Sequence, residues 1–311
     1  MKKSKVIAVV GPTASGKTSL AVEIAKAVDG EIISADSMQI YKGMFIATAQ
    51  PTEEEKQGIP HHLISIIEPS ETYSVAQFVS DAKRCIEEIE SRGKVPVIAG
   101  GTGLYIDSLL YGIDFGFVPD NSEVRQKLKE RMENEGAEKL LKELYEIDPE
   151  TAETLHVNNA GRIMRALEVY YLTGETISAQ KKKSRQNGSD YESLYVYIDY
   201  ADRQILYNRI EKRVDIMVEA GLLTEAEKFI SLGEETTAKQ AIGYKELKPY
   251  FRGDCSLEEA LDNLKKETRH YAKRQMTWFR RNKDLFEINP DTDAFYCETA
   301  INAAKNFLKG E

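Results

Sequence analysis

Residues 11–18 read Gly11-Pro12-Thr13-Ala14-Ser15-Gly16-Lys17-Thr18, the G-x-x-x-x-G-K-[ST] spacing of a phosphate-binding loop. Its glycines let backbone amides approach phosphate oxygens, Lys17 offers a point charge, and the Thr18 hydroxyl suits Mg²⁺. By itself the loop is a nucleotide-triphosphate signature. It says that a polyphosphate binds, and not which group is transferred. Two other segments add chemistry. Asp36-Ser37-Met38-Gln39 contributes a carboxylate, and Gly100-Gly101-Thr102-Gly103 is a small-residue turn with a hydroxyl. Asp36 reads equally as a cap, a metal ligand or a general base.

These groups meet only if the strands before them lie in one parallel sheet, whose carboxyl ends gather functional residues. Val6-Ile7-Ala8-Val9-Val10 is the continuous apolar run of a strand buried on both faces. Further strands are predicted at 31–35, about 63–67 and 95–99, with helices at 17–28 and 74–92. Ser74 is placed to cap the second helix and Gly93 to follow its end, and another helix follows Gly103. From about 118 to 180 the chain is helix-like and highly charged, with turn breaks at Gly136, Asp148-Pro149 and Gly161. A polar linker, 184–190, leads to a strand at Leu194–Ile198. Helices fill most of 202–282, the last starting on a Ser256–Glu259 capping-box spacing, and a final strand at 285–288 precedes a C-terminal helix. The expected fold is α/β, a P-loop NTPase or nucleotide-kinase-like parallel sheet of five core strands with an all-helical insertion. Residues 1–117 and 191–311 form the core domain, and 118–190 the insertion.

A chain of 311 residues, 41% hydrophobic and 30% charged, can bury such a core and is not a disordered polymer. No apolar run reaches membrane-spanning length and no leader precedes the first strand, so a cytoplasmic protein with no membrane partner is expected. Cys85, Cys255 and Cys297 stand far apart, against a zinc finger or disulfide framework. The net charge is −9, yet Lys265–Lys283 holds eight cations against Glu267. The remainder is therefore near −16. Lys181, Lys182, Lys183 and Arg185 form a second basic cluster after Arg162 and Arg165. Two basic regions in an acidic protein suit either solvated helix faces or a track for a polyanion. Tyr271, Trp278 and Phe279, within the first region, fit core positions better than stacking platforms. His61 and His62 are adjacent, face opposite sides of any strand, and read as structural.

The chain resembles the tRNA dimethylallyltransferase (isopentenyltransferase) family. The match runs through Gly11–Thr18, Ser34–Tyr41, Ile59–Leu63, Gly100–Tyr105, Arg162–Val169, Arg209–Val214 and Ala241–Lys245, in one order over most of the sequence. The resemblance implies transfer of a dimethylallyl group from dimethylallyl diphosphate to the exocyclic N6 of an adenosine beside the tRNA anticodon. Eukaryotic members often end in a zinc finger, which this chain lacks, so it looks like the compact bacterial form. Adenylate isopentenyltransferases and small-molecule P-loop kinases are the nearest alternative enzymes, and a non-enzymatic RNA-binding protein is a third reading.

Carried onto this sequence, the resemblance assigns the diphosphate to Gly11, Pro12, Thr13, Ala14, Ser15, Gly16, Lys17 and Thr18, with Mg²⁺ at Thr18. Asp36 would take the N6 proton with Thr102 beside it, while Lys17 and an arginine, Arg213 or Arg209, steady the leaving group. The tRNA anticodon stem-loop would meet Asp36, Ser37, Met38, Gln39 and Thr102, then Gly161, Arg162, Ile163, Met164 and Arg165, and Ala241, Ile242, Gly243, Tyr244, Lys245 and Glu246. A monomer is expected.

Overall fold

A computed structural model describes residues 3–112, 122–231 and 237–310, side chains 122, 184–187 and 239 excepted. Contacts divide the chain into two compact units, Met1–Leu110 with Tyr191–Glu311, and Tyr111–Asp190. The sequence-based boundary between 117 and 118 lies outside the described residues.

The first unit is built on one parallel sheet. Its strands are β1 (Ser4–Val10), β2 (Gly30–Ser34), β3 (His61–His62), β4 (Val95–Gly100), β5 (Tyr191–Ile198) and β6 (Leu285–Ile288), in the order β3-β2-β4-β1-β5-β6. All neighbours run parallel, which requires a crossover between successive strands. Side chains alternate across the sheet. Val6, Ala8 and Val10 enter one apolar layer, while Ile7 and Val9 enter the other. The residues of both layers are buried, and each buried Val or Ile side chain contributes roughly 1.5–3 kcal/mol.

The helices of this unit are α1 (Lys17–Ala27), the short α2 (Glu53–Lys56), α3 (Val75–Ser91) and α4 (Gly103–Leu110) before the second unit. The second unit holds α5 (Ser122–Glu135), α6 (Ala137–Ile147), α7 (Pro149–Ala152), α8 (Ala160–Thr173) and α9 (Ile177–Asn187). After β5 come α10 (Arg203–Glu219), α11 (Leu222–Ser231), α12 (Tyr244–Arg252) and α13 (Leu257–Phe279). β6 then leads to α14 (Tyr296–Lys309). Ser74 and Ser256 head full capping boxes with Gln77 and Glu259. No described helix is long and apolar enough to cross a membrane.

Four details differ from the sequence reading. The third strand is His61–His62, not 63–67, because Leu63 and Ser65 take positive φ (61° and 52°) and end the extended repeat. Residues 65–67 pair instead with the carbonyls of Gln39 and Ile40. The sheet has six strands rather than five, since Leu285–Ile288 joins β5 in register. Gly161 lies within α8, the break falling in the preceding turn where His156 accepts the Asn159 amide through its carbonyl. The linker at 184–190 is mostly helix, α9 running to Asn187 from a Thr176 cap. The histidines are structural. His62 Nε2 lies 2.7 Å from buried Glu31, and His61 Nδ1 lies 2.8 Å from the Ile59 carbonyl.

In the helical unit Leu128, Leu140, Leu144, Ile163 and Leu167 form a separate core. Buried Asp148 joins three of its elements, accepting the Thr151 amide at the start of α7 and the Ser178 amide in α9, each at 3.1 Å.

Candidate active site

The carboxyl end of β1 opens into the phosphate loop. Gly16 has φ +92° and Ala14 φ +62°, so the chain turns through the left-handed region twice. A non-glycine residue there costs of order 1–3 kcal/mol and needs outside support. Side chains from the turn after β5, from α10 and from α13 supply it. Tyr200 donates through its hydroxyl to the Ser15 carbonyl at 3.1 Å, and Arg209 Nε donates to the Ala14 carbonyl at 2.8 Å. Gln275 Oε1 accepts the Thr13 amide at 2.8 Å.

A cavity of about 290 Å³ lies over this loop. Thr13, Lys17 and Thr18 form its floor, and Asp36, Ser37, Met38 and Gln39 rise beside them from the end of β2. The turns after β2 and β4 are stapled. The Ala35 amide donates to the Ala99 carbonyl at 2.8 Å, and the Thr102 amide to the Ala35 carbonyl at 3.1 Å. A Cβ on Gly100 would stand 2.2 Å from the Ala35 carbonyl oxygen, so only glycine allows the two turns to touch. That closeness lets Thr102 Oγ1 accept the Ser37 amide at 3.0 Å. Asp36 Oδ1 in turn accepts the Met38 amide at 2.9 Å, a local cap that fixes the carboxylate at the chamber wall.

Two cations face that carboxylate. Lys17 donates to the Pro12 carbonyl at 3.2 Å, and Arg213 Nη1 to the Thr13 hydroxyl at 3.1 Å. Enclosure in the chamber and the neighbouring Arg213 charge pull Lys17 down to about 8, with Asp36 opposing. Burial also lowers Arg213, which stays charged. Arg209 differs: it is exposed, touches the loop's outer face and lies with its guanidinium 5.8 Å from the Tyr200 ring. Of the two arginines, Arg213 lines the cavity.

Helix α13 closes one side, a contribution the sequence reading missed. Leu264, Thr268, Tyr271, Arg274 and Gln275 recur at helical spacing and line the chamber. The signal was present but masked by basic charge. Three of those charges are in fact paired: Lys265 with Asp215 and Arg269 with Glu211 at 2.7 Å each, and Arg280 with Asp199. Burial, followed by the Asp36 charge, raises the Tyr271 phenol. Trp278 donates to Asp107 at 2.7 Å and Phe279 is buried, so both are packing residues. Ile210, Val214 and Met217 of α10 supply an apolar wall, and Ala47 and Ala49 another.

Ala241 and Ile242 also line the cavity. Behind them Tyr244 is buried and donates to Glu225, which accepts the Ile46 and Ala47 amides as well. Glu246 is buried and accepts the Gly243 amide at 2.8 Å, while Lys245 is exposed. Gly161–Arg165 open α8 of the helical unit. Ile163 is fully buried in that unit's core, whereas Arg162 and Arg165 are exposed, Arg165 pairing with Glu168. In α9, Lys182 pairs with Glu150 and Lys183 with Glu175, and the Arg185 side chain lies outside the described residues.

Comparison with known proteins bears on this arrangement. The profile of the family named IPP transferase matches residues 39–282, and one named isopentenyl transferase matches 4–69. The chain is 51% identical over 288 residues to the tRNA dimethylallyltransferase of Acetivibrio thermocellus, covering 92% of each sequence. It is 47% identical over 312 residues to that of Carboxydothermus hydrogenoformans, covering 98% of this chain and 99% of the relative. Among solved structures, the tRNA isopentenylpyrophosphate transferase of Bacillus halodurans is 41% identical with a TM-score of 0.72, over 99% and 96% of the two chains. A eukaryotic dimethylallyltransferase acting on tRNA is 29% identical with a TM-score of 0.85, over 99% of this chain and 80% of that one. With a phosphate loop at the head of a parallel sheet, a helical second unit, and likeness along nearly its whole length, the chain belongs to the IPP transferase family.

Proposed function

We propose that this chain transfers a dimethylallyl group from dimethylallyl diphosphate to N6 of the adenosine beside the tRNA anticodon, releasing diphosphate. The observation that carries the reading is one chamber lined both by a phosphate loop, the cations Lys17, Arg213 and Arg274 and the Asp36 carboxylate, and by aliphatic side chains. A phosphoryl donor needs the first set alone. A prenyl diphosphate needs both.

The residues suit each half of that reaction. Lys17, Arg213 and the loop amides meet the diphosphate, whose negative charge grows as the allylic carbon–oxygen bond breaks. Preorganised charge of this kind is usually the largest catalytic contribution. Met217, Val214 and Ile210 offer the hydrocarbon an apolar wall. The adenine amino group is scarcely basic, so its attack needs an electron-poor carbon and a partner for the departing proton. Asp36 is that partner: as N6 bonds to carbon, the carboxylate accepts the N6 proton. Thr102 holds the turn on which Asp36 stands.

Mg²⁺ fits the oxygen donors present, because the Thr18 hydroxyl lines the chamber next to Lys17, where the diphosphate oxygens would supply the remaining ligands. This ion is commonly held by few protein oxygens together with substrate phosphates and water. When bound, it neutralises charge on the diphosphate oxygens. The exposed Lys245 is proposed to meet tRNA phosphates, with Ala241 and Ile242 near the acceptor adenosine and buried Tyr244 and Glu246 as supports; on the helical unit, Gly161, Arg162, Met164 and Arg165 are proposed as a tRNA surface of their own, with buried Ile163 behind it.

The test uses labelled dimethylallyl diphosphate, Mg²⁺ and either unmodified tRNA or free AMP as acceptor. Label on a tRNA adenosine at N6 is the expected result. Label on AMP alone, or none in either, overturns the reading.

A further inference from the structure

Gln275 is only 4% exposed, and its side-chain amide is used at both ends. Oε1 accepts the Thr13 amide at 2.8 Å, and Nε2 donates to the Gly101 carbonyl at 3.0 Å. These partners belong to different halves of the site. Thr13 lies in the phosphate loop and holds Arg213 by its hydroxyl. Gly101 begins the turn that carries Thr102, which in turn holds Ser37 beside Asp36.

The sheet cannot make this connection. The β1–β4 ladder ends with Val10 opposite Gly100, and beyond it the two loops leave the sheet. Gln275 bridges them from α13, which is remote from both in sequence. The fit is close, since a Cβ on Gly101 would fall 2.0 Å from Nε2. A glycine is therefore needed for the amide to sit there. The chemistry is equally selective: Thr13 needs an acceptor and Gly101 a donor, and a primary amide supplies both. A carboxylate lacks the donor, and a thioether lacks the donor and is only a weak acceptor.

We infer that Gln275 is a positioning residue for the transfer reaction, setting the diphosphate cradle in register with the Asp36–Thr102 side that receives the acceptor nitrogen. This role rests on the transfer reading above. The donor carbon rides on a diphosphate held from the phosphate loop, while the nitrogen is held from the other turn. Their approach therefore depends on the gap that Gln275 spans. A misplacement of about 1 Å between reacting groups can cost on the order of 100-fold in rate.

Gln275→Met keeps the unbranched shape and removes the bridge. Single-turnover rates, with enzyme in excess over tRNA, are compared with dissociation constants for inorganic diphosphate with Mg²⁺ and for unmodified tRNA. The rate constant per folded molecule should fall about 30-fold while both dissociation constants stay within about threefold, the pattern of lost alignment rather than lost binding. An unchanged rate, or affinity losses as large as the rate loss, overturns the role. Gly101→Ala provides a second route, because it displaces the amide without altering Gln275. The double variant should be no more than about twofold slower than the slower single variant, since both break one bridge, and multiplicative losses overturn the role. Wild-type protein that transfers no label sinks the transfer reading, and the role with it. Wild-type transfer beside an equally fast Gln275→Met sinks the role alone.

Discussion

Arg213 donates through Nη1 to the Thr13 hydroxyl at 3.1 Å, which places a guanidinium inside the chamber at the second position after Gly11. One helical turn earlier on α10, Arg209 reaches the same loop from outside and holds the Ala14 carbonyl. The two arginines therefore have separable duties. Arg213→Ala should lower kcat/KM for dimethylallyl diphosphate by about 100- to 1,000-fold, the usual loss for one preorganised donor at a developing anion. Arg209→Ala should cost about tenfold or less, because Tyr200 still supports the loop through Ser15. Steady-state kinetics on both variants checks the assignment, and equal losses would contradict it.

What the sequence made legible was local. The phosphate loop, the Ser74 and Ser256 caps and the strand at Val6–Val10 follow from short-range rules of spacing and capping. Asp36 and Thr102 could be paired because both follow strands of one parallel sheet. Leu63 and Ser65 were misread because an apolar run suggests a strand, whereas both take positive φ and the amides of 65–67 bond the Gln39 and Ile40 carbonyls, partners that a local pattern does not reveal. Gln275 was invisible for a different reason: its partners lie 262 and 174 residues away, and a lone glutamine in a basic helix carries no periodic signal. The same helix misled on charge. Its cations looked like one track, yet Lys265, Arg269 and Arg280 are held by acids of other elements.

The lowered Lys17 sets a pH limit. With a value of about 8, the ammonium is mostly charged at pH 7 and mostly neutral at pH 9. The profile of kcat/KM for dimethylallyl diphosphate reports the free enzyme, so it should fall as pH rises through about 8, approaching tenfold per unit. The kcat limb should lie at higher pH, since a bound diphosphate favours the ammonium. Lys17→Arg, whose guanidinium does not titrate in this range, should flatten the alkaline limb even if activity is lower.

Gly100 offers a stability test aimed at backbone contact. Its missing Cβ leaves room for the Ala35 carbonyl, and nothing flexible can yield there. Gly100→Ala should destabilise the protein by about 3 kcal/mol or more, because the strand ends must part and buried hydrogen bonds stretch. Denaturant unfolding measures it. Gly93→Ala is the comparison: its φ of +73° is strained but its surroundings are open, so its loss should be about 1 kcal/mol.

Lys266 and Lys273 have no ion pair among the described residues, in contrast to Lys265 and Arg269. If α13 meets tRNA phosphates, replacing Lys273 with Glu should weaken tRNA binding and reduce the salt slope of log K by about 1. Lys265→Glu instead opposes Asp215 and should act mainly on melting temperature. Binding titrations at graded salt separate the two, and identical slopes for both variants would remove α13 from the tRNA surface.

Asp36 offers the sharpest division between binding and chemistry. Its carboxylate accepts the Met38 amide through Oδ1 and faces the chamber with Lys17 and Arg213. Asp36→Asn keeps an oxygen for Met38, so the turn after β2 should hold and the protein should melt near the wild-type temperature. The amide cannot take a proton, and transfer to tRNA should fall by about 100- to 10,000-fold, the range for loss of a general base. Diphosphate affinity with Mg²⁺ should change little, or rise slightly as one negative charge leaves the site. A fall in that affinity matching the fall in rate would make Asp36 a metal ligand first, and the proton would then need another acceptor.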